Sequence, residues 1–231
     1  MFGFVIGHML GNLQVFLGAE AINHYGELLR LWPELLWVVR GVLLASLVLH
    51  VIFAIRLVVE NRRARPVRYE FKNNVQSKLS TRLMAVTGTI LLAFVIFHLM
   101  HFTTHNVRPE FAGYLDEKGR HDVFRMVVEG FSSPLISISY IVAMTLLCLH
   151  LTHGAWSWLQ TLGLRTKKIA NESQSGARVV AALLAAGFIS VPIGVLSGWG
   201  KGYVAERQRA DQVVRETTPA PGTAPEITPT K

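Results

Sequence analysis

Residues 83–102 read LMAVTGTILLAFVIFHLMHF, and this stretch decides the fold. It holds no Lys, Arg, Asp or Glu, and it is long enough to cross hydrocarbon, which takes about 20 apolar residues at about 1.5 Å each. Comparable runs lie at about 36–59, 83–104, 135–162 and 178–200, with a shorter one at about 2–18. The expected fold is therefore all-α, a polytopic membrane protein with five transmembrane helices. Composition agrees: 51% of residues are hydrophobic and only 16% are charged, against about 25% in soluble domains. Mean hydropathy is +0.36. No connection is long enough for a separate soluble core, so residues 1–205 read as one transmembrane domain. Residues 206–231 turn polar and end in TTPAPGTAPEITPTK, which reads as a disordered tail. Cys148 is the single cysteine, so there is no disulfide framework. No cleavable signal peptide is visible.

Charge orients the chain. The net charge of +8 is uneven. The stretch from Arg56 to Arg82 carries Arg62, Arg63, Arg65, Arg68, Lys72 and Lys78 against Glu60 and Glu70, and Arg165, Lys167, Lys168 and Arg178 face only Glu172. The segment 18–35 sets Arg30 against Glu20, Glu27 and Glu34. The positive-inside rule places the two basic connections in the cytoplasm and the C-terminal tail outside, as in a bacterial cytoplasmic (inner) membrane. These charges flank spans and carry no recognition motif, so nucleic acid is not an implied partner. The helix at about 2–18 is short for a span. Its histidine lies near the outer end, which leads us to expect a further apolar turn and a basic lead upstream of Met1.

One histidine lies in each of the first four apolar runs: His8, His50, His98 and His150. Imidazole at membrane depth is costly, and an intramembrane ionisable residue is read first as functional. A single one is commonly a packing residue with a hydrogen-bond partner. Four of them, however, resolve into two depths. His50 lies six residues before Arg56, in the cytoplasmic half. His150 lies roughly 24 Å along an inward-running helix from Pro134, in the same half. His98 lies in the outer half of an outward-running helix, and His8 near the outer end of the first. Depth pairs His50 with His150 and His8 with His98. Neutral imidazole in a dry bundle core finds a strong partner in haem iron, so the expectation is a dihaem cytochrome b bundle with four axial ligands. Gly11 and Gly154 share a helix face with His8 and His150 and leave room for a flat macrocycle. His101, His105 and His153 extend the histidine faces and stand as candidates for propionate or quinone contacts. His24 and His121 fall in outer connections, where exposure is the default.

The strings GHMLGNLQVFLGAEAINHY, LHVIFAIRLVVENRRARPVRY, FHLMHFT and LHLTHGAWSWLQTLG resemble the cytochrome b membrane anchor of succinate dehydrogenase and fumarate reductase, of the five-helix, two-haem type. The similarity covers about residues 3–203. It implies axial ligation of the distal haem by His8 and His98 and of the proximal haem by His50 and His150. It also implies a flavoprotein subunit with FAD and an iron–sulfur subunit on the cytoplasmic face, where the dicarboxylate chemistry takes place. This chain has neither a dinucleotide glycine motif nor a cysteine cluster. Some fumarate reductases of this type carry a glutamate two residues before the last ligand. Here Cys148 stands there, and that proton pathway is not carried over.

The implied function is electron transfer from the iron–sulfur subunit through two haems b to a quinone, with menaquinone the usual partner of this type. The chain is then the membrane subunit of a succinate:quinone oxidoreductase of the tricarboxylic acid cycle or of fumarate respiration. A polar outer pocket near His101, His105, Asn12 and Gln14 is expected to take up protons. Two rivals remain at this stage. One is the dihaem anchor of another quinone-linked dehydrogenase. The other is a haem-free anchor or a proton-relay membrane protein.

Overall fold

The computed structural model describes residues 1–64, 79–161 and 167–217, with side chains at 1–64, 83–154 and 175–217. The connections at 65–78 and 162–166, to which much of the basic charge belongs, and the last tail residues at 218–231 lie outside the described residues. The described chain is helical with no β-strand: α1 (Phe2–Leu13), α2 (Ala19–Arg30), α3 (Pro33–Arg63), α4 (Leu79–Phe102), α5 (Val123–Phe131), α6 (Pro134–Thr161), α7 (Lys167–Leu196) and α8 (Lys201–Thr217). Two 3₁₀ turns, Gln14–Leu17 and Pro109–Gly113, join them.

Four helices are long and apolar enough to cross a membrane: Pro33–Arg63, Leu83–Phe102, Pro134–Gly154 and Ser175–Leu196. The apolar stretch Phe2–Leu17 is shorter. The composition puts large side chains outside, as lipid requires: Trp37 is 67% exposed and Phe53 61%. Along α3 no residue is buried. Its ends follow local rules. Pro33 sits in the first turn with Glu34, and Arg62 and Arg63 close the last turn, where the helix dipole favours cations.

α6 packs on α7 and α4, and α7 packs on α1. α2, α5 and α8 stack together at one end, joined by the Gln14–Leu17 turn. This cap receives α1, α4 and α7 by their C-termini and α3 and α6 by their N-termini. The buried apolar cluster lies here rather than at mid-bundle: Val15, Ile22, Phe124, Val128 and Phe131 pack with Tyr140, Val195 and Val204. Each fully buried side chain of this kind contributes about 1.5–3 kcal/mol.

A buried polar node locks the cap. Asp122, the N-cap of α5, accepts from the Arg125 amide at 3.0 Å, from Asn23 Nδ2 at 3.1 Å and from the Tyr203 hydroxyl at 2.9 Å. Asn23 Oδ1 in turn accepts from the Phe124 amide at 2.9 Å. Around the node, Arg120 bridges Asp116 at 2.8 Å and Glu20 at 2.7 Å. Arg125 reaches Glu129 and Asp211.

The tail departs from expectation. Residues 206–217, read as disordered, belong to α8. Gly198 and Gly200 take φ of +110° and +78°, which turns the chain off α7 and onto the cap. A Cβ at Gly200 would stand 2.6 Å from Val128 Cγ2, so the glycine also permits the close approach. Arg125–Asp211 and Tyr203–Asp122 then hold α8 by contacts distant in sequence, which local composition does not register.

Candidate functional site: two histidine pairs

The four membrane histidines meet ring to ring in two pairs. His8 of α1 and His98 of α4 have centroids 5.8 Å apart and ring planes at 78°. His50 of α3 and His150 of α6 have centroids 6.1 Å apart and planes at 77°. These are the pairs that depth along the helices predicts. The first lies nearer the cap, and the second lies about halfway along α3 and α6.

Aromatic rings enclose the first pair. Phe4 stacks on His8 with centroids 5.3 Å apart, and Phe188 of α7 lies 5.8 Å from the same ring. Phe94 stacks on His98 one turn away, at 6.1 Å. Asn12 donates to the His8 carbonyl at 2.7 Å and so continues the helix face toward the cap. The second pair is more open. His50 is exposed on α3, and His150 is half-buried.

Two hydroxyls touch these rings from neighbouring helices. Tyr140 of α6 lies 3.3 Å from His98 Nδ1 and 3.1 Å from His101 Nδ1. Thr87 of α4 lies 3.3 Å from His150 Nδ1 and within hydrogen-bond distance of two carbonyls of its own helix, Leu83 at 3.0 Å and Met84 at 3.2 Å. Sequence reading missed both residues. Their only signal was a hydroxyl inside an apolar run at histidine depth.

The secondary candidates are arranged differently from expectation. His101 is fully buried among Phe97, Phe102, Phe111 and Tyr140 and does not line an open pocket; its Nε2 has no hydrogen-bond partner. His105 takes φ +55° just past α4 and lies 5.9 Å from the His121 ring. His121, read as exposed, is half-buried, and burial followed by the charges of Arg30 and His105 holds its pKa below the ordinary value. His24 is exposed beside Glu27. Gly11 does not face an open cradle, because a Cβ there would stand 2.7 Å from the Tyr25 ring. Gly154 has open space. Along the seam of α4 and α6 runs an apolar groove of about 400 Å³ lined by Ile90, Phe94, Phe97 and Val142.

No family model, curated protein or solved structure matches this chain. Among the described residues no three or more His, Cys, Asp or Glu side chains are grouped to hold a metal ion. The two imidazole pairs each bring two nitrogen-bearing rings together.

Proposed function

We propose that this chain is the cytochrome b membrane anchor of a succinate:quinone oxidoreductase, with one haem b held by His8 and His98 and a second by His50 and His150. The observation that carries the reading is the spacing of the two ring pairs. Metal–nitrogen bonds of roughly 2 Å, added to the half-width of each ring, put two imidazoles on opposite sides of one iron about 6 Å apart, centroid to centroid. The observed 5.8 Å and 6.1 Å fit that span. His8 with His98, and His50 with His150, would each hold one such group, which when bound would supply one-electron transfer.

The residues of this chain hold, orient and insulate. Each pair joins two helices, so ligation would tie α1 to α4 and α3 to α6. Phe94 and Phe188 keep water from the pair nearer the cap, and such burial tunes potential. The helices α2, α5 and α8 cover one end of the bundle, and Arg62 and Arg63 close α3 at the other. That asymmetry favours docking of the iron–sulfur subunit, and through it the FAD-bearing flavoprotein subunit, at the basic end. Quinone, with menaquinone the working choice, is then reduced toward the capped end. His101 and His105 continue the His98 face of α4 in that direction.

The test is a reduced-minus-oxidised spectrum of the complex purified with its native partners. Succinate should reduce two b-type haems per copy of this chain, and quinone should reoxidise them. A pure, intact complex without b-type absorbance overturns the reading.

A further inference from the structure

We infer that the hydroxyls of Tyr140 and Thr87 are positioning groups for the two pairs, each fixing which nitrogen of one histidine is free to face its partner. The inference rests on the haem reading above and assigns roles to two residues on helices other than those of the histidines they touch. A ligating imidazole normally gives its second ring N–H to a fixed acceptor, which sets tautomer and ring orientation and raises ligand basicity.

Thr87 has one proton, and two carbonyls of its own helix are placed to take it, Leu83 at 3.0 Å and Met84 at 3.2 Å, both nearer than His150 Nδ1 at 3.3 Å. Toward His150, Thr87 Oγ1 is therefore an acceptor, and the proton of that 3.3 Å contact belongs to His150 Nδ1. His150 is then the Nδ1–H tautomer, and its Nε2 lone pair is left for iron. Thr87 is buried, 5% exposed, so water does not compete for the contact.

Tyr140 solves the same problem with one proton shared between two rings. If Nε2 of His98 binds iron, its Nδ1–H donates to the tyrosine oxygen at 3.3 Å. The tyrosine proton then goes to His101 Nδ1 at 3.1 Å. His101 must consequently carry its own proton on Nε2, the atom that is buried without a protein partner. One hydroxyl thus sets two tautomers: that of His98 and that of the histidine one turn nearer the cap.

Each contact crosses between α4 and α6, in opposite senses: Tyr140 on α6 serves His98 on α4, and Thr87 on α4 serves His150 on α6. The two helices that supply one histidine to each pair thereby orient each other's ring. Removing an acceptor from Nδ1–H makes the imidazole a weaker donor, stabilises ferric iron less and raises the reduction potential of that haem alone.

The experiment is redox titration of both haems in the purified complex carrying Tyr140→Phe, Thr87→Val or Thr87→Ser. Tyr140→Phe should raise the potential of the haem between His8 and His98 and leave the other in place. Thr87→Val should do the reverse, and Thr87→Ser should restore the wild-type value. Loss of only the corresponding haem, with the other spectrally unchanged, also supports the assignment. Full haem content with neither potential moved overturns it and leaves the haem reading standing. Loss or displacement of both haems by either variant also overturns it, because the effect is then general disruption. Absence of haem from the wild-type complex overturns the haem reading itself.

Discussion

The imidazole planes of His50 and His150 stand 77° apart at a centroid distance of 6.1 Å. His8 and His98 repeat the relation at 78° and 5.8 Å. Near-perpendicular planes have a spectroscopic consequence. Axial imidazoles with parallel planes donate into the same iron orbital and split the pair of π-type d orbitals. Perpendicular planes donate into both and leave them nearly degenerate, which gives a strongly anisotropic low-spin ferric signal. With a haem bound at each pair as proposed, both should show that signal at low temperature in electron paramagnetic resonance. Two ordinary rhombic bis-imidazole spectra would contradict the ring geometry at both sites.

Ligand substitution separates the pairs. His50→Ala or His150→Ala should remove one haem and halve the b-type absorbance, and His8→Ala or His98→Ala should remove the other. The crossed result decides the pairing: His50→Ala and His98→Ala together should leave none, whereas His50→Ala and His150→Ala together should leave one. Retention of two haems in each single variant rules out the assignment.

The bundle was legible because spanning helices are governed by a local quantity, the run of apolar residues, as in 83–102. The pairs were legible because rise per residue converts position into depth. Two kinds of feature escaped. α2, α5 and the polar half of α8 are amphipathic segments whose stability comes from contacts such as Asn23 with Asp122, 99 residues apart. Tyr140 and Thr87 act through rings on another helix, and no spacing along one chain segment encodes that. The glycine reading failed at Gly11 for the same reason, because Tyr25 folds back from α2 and fills the space.

Topology yields to labelling. The segment 65–78 carries Arg65, Arg68, Lys72 and Lys78, so it should face the cytoplasm and the cap should face outward. Glu117, in the cap, has a side chain 85% exposed. A cysteine placed there, in a chain with Cys148→Ala, should react with an impermeant maleimide from the outside of intact cells. A cysteine at Asn74 should react only after the cells are opened. The reverse pattern would invert the proposed order of the two histidine pairs relative to the cytoplasmic face.

The cap should weaken in acid in two separable steps. Hydrogen bonds from Arg120 first, and then from Lys118, hold the Glu20 carboxyl at a pKa of about 2, below its ordinary value. A group whose folded pKa is depressed contributes stability that is fully present above its unfolded value, about 4.3, and is lost as pH falls toward the folded one. The loss from Glu20 therefore belongs between about pH 4.3 and 2. Its carboxylate is exposed to water, so the effect should be small and should shrink with added salt. His121 acts in a higher window. Burial, then Arg30 and His105, lower its pKa, so the neutral ring is favoured in the folded cap and stability declines as pH falls below about 6.5. The measurement is the thermal midpoint of the purified complex from pH 7.5 to 3. Wild type and Glu20→Gln should differ most above pH 4.5 and converge below it, while His121→Gln should flatten the decline between pH 6.5 and 5. Parallel curves for wild type and both variants would show that neither group is linked to the folding of the cap.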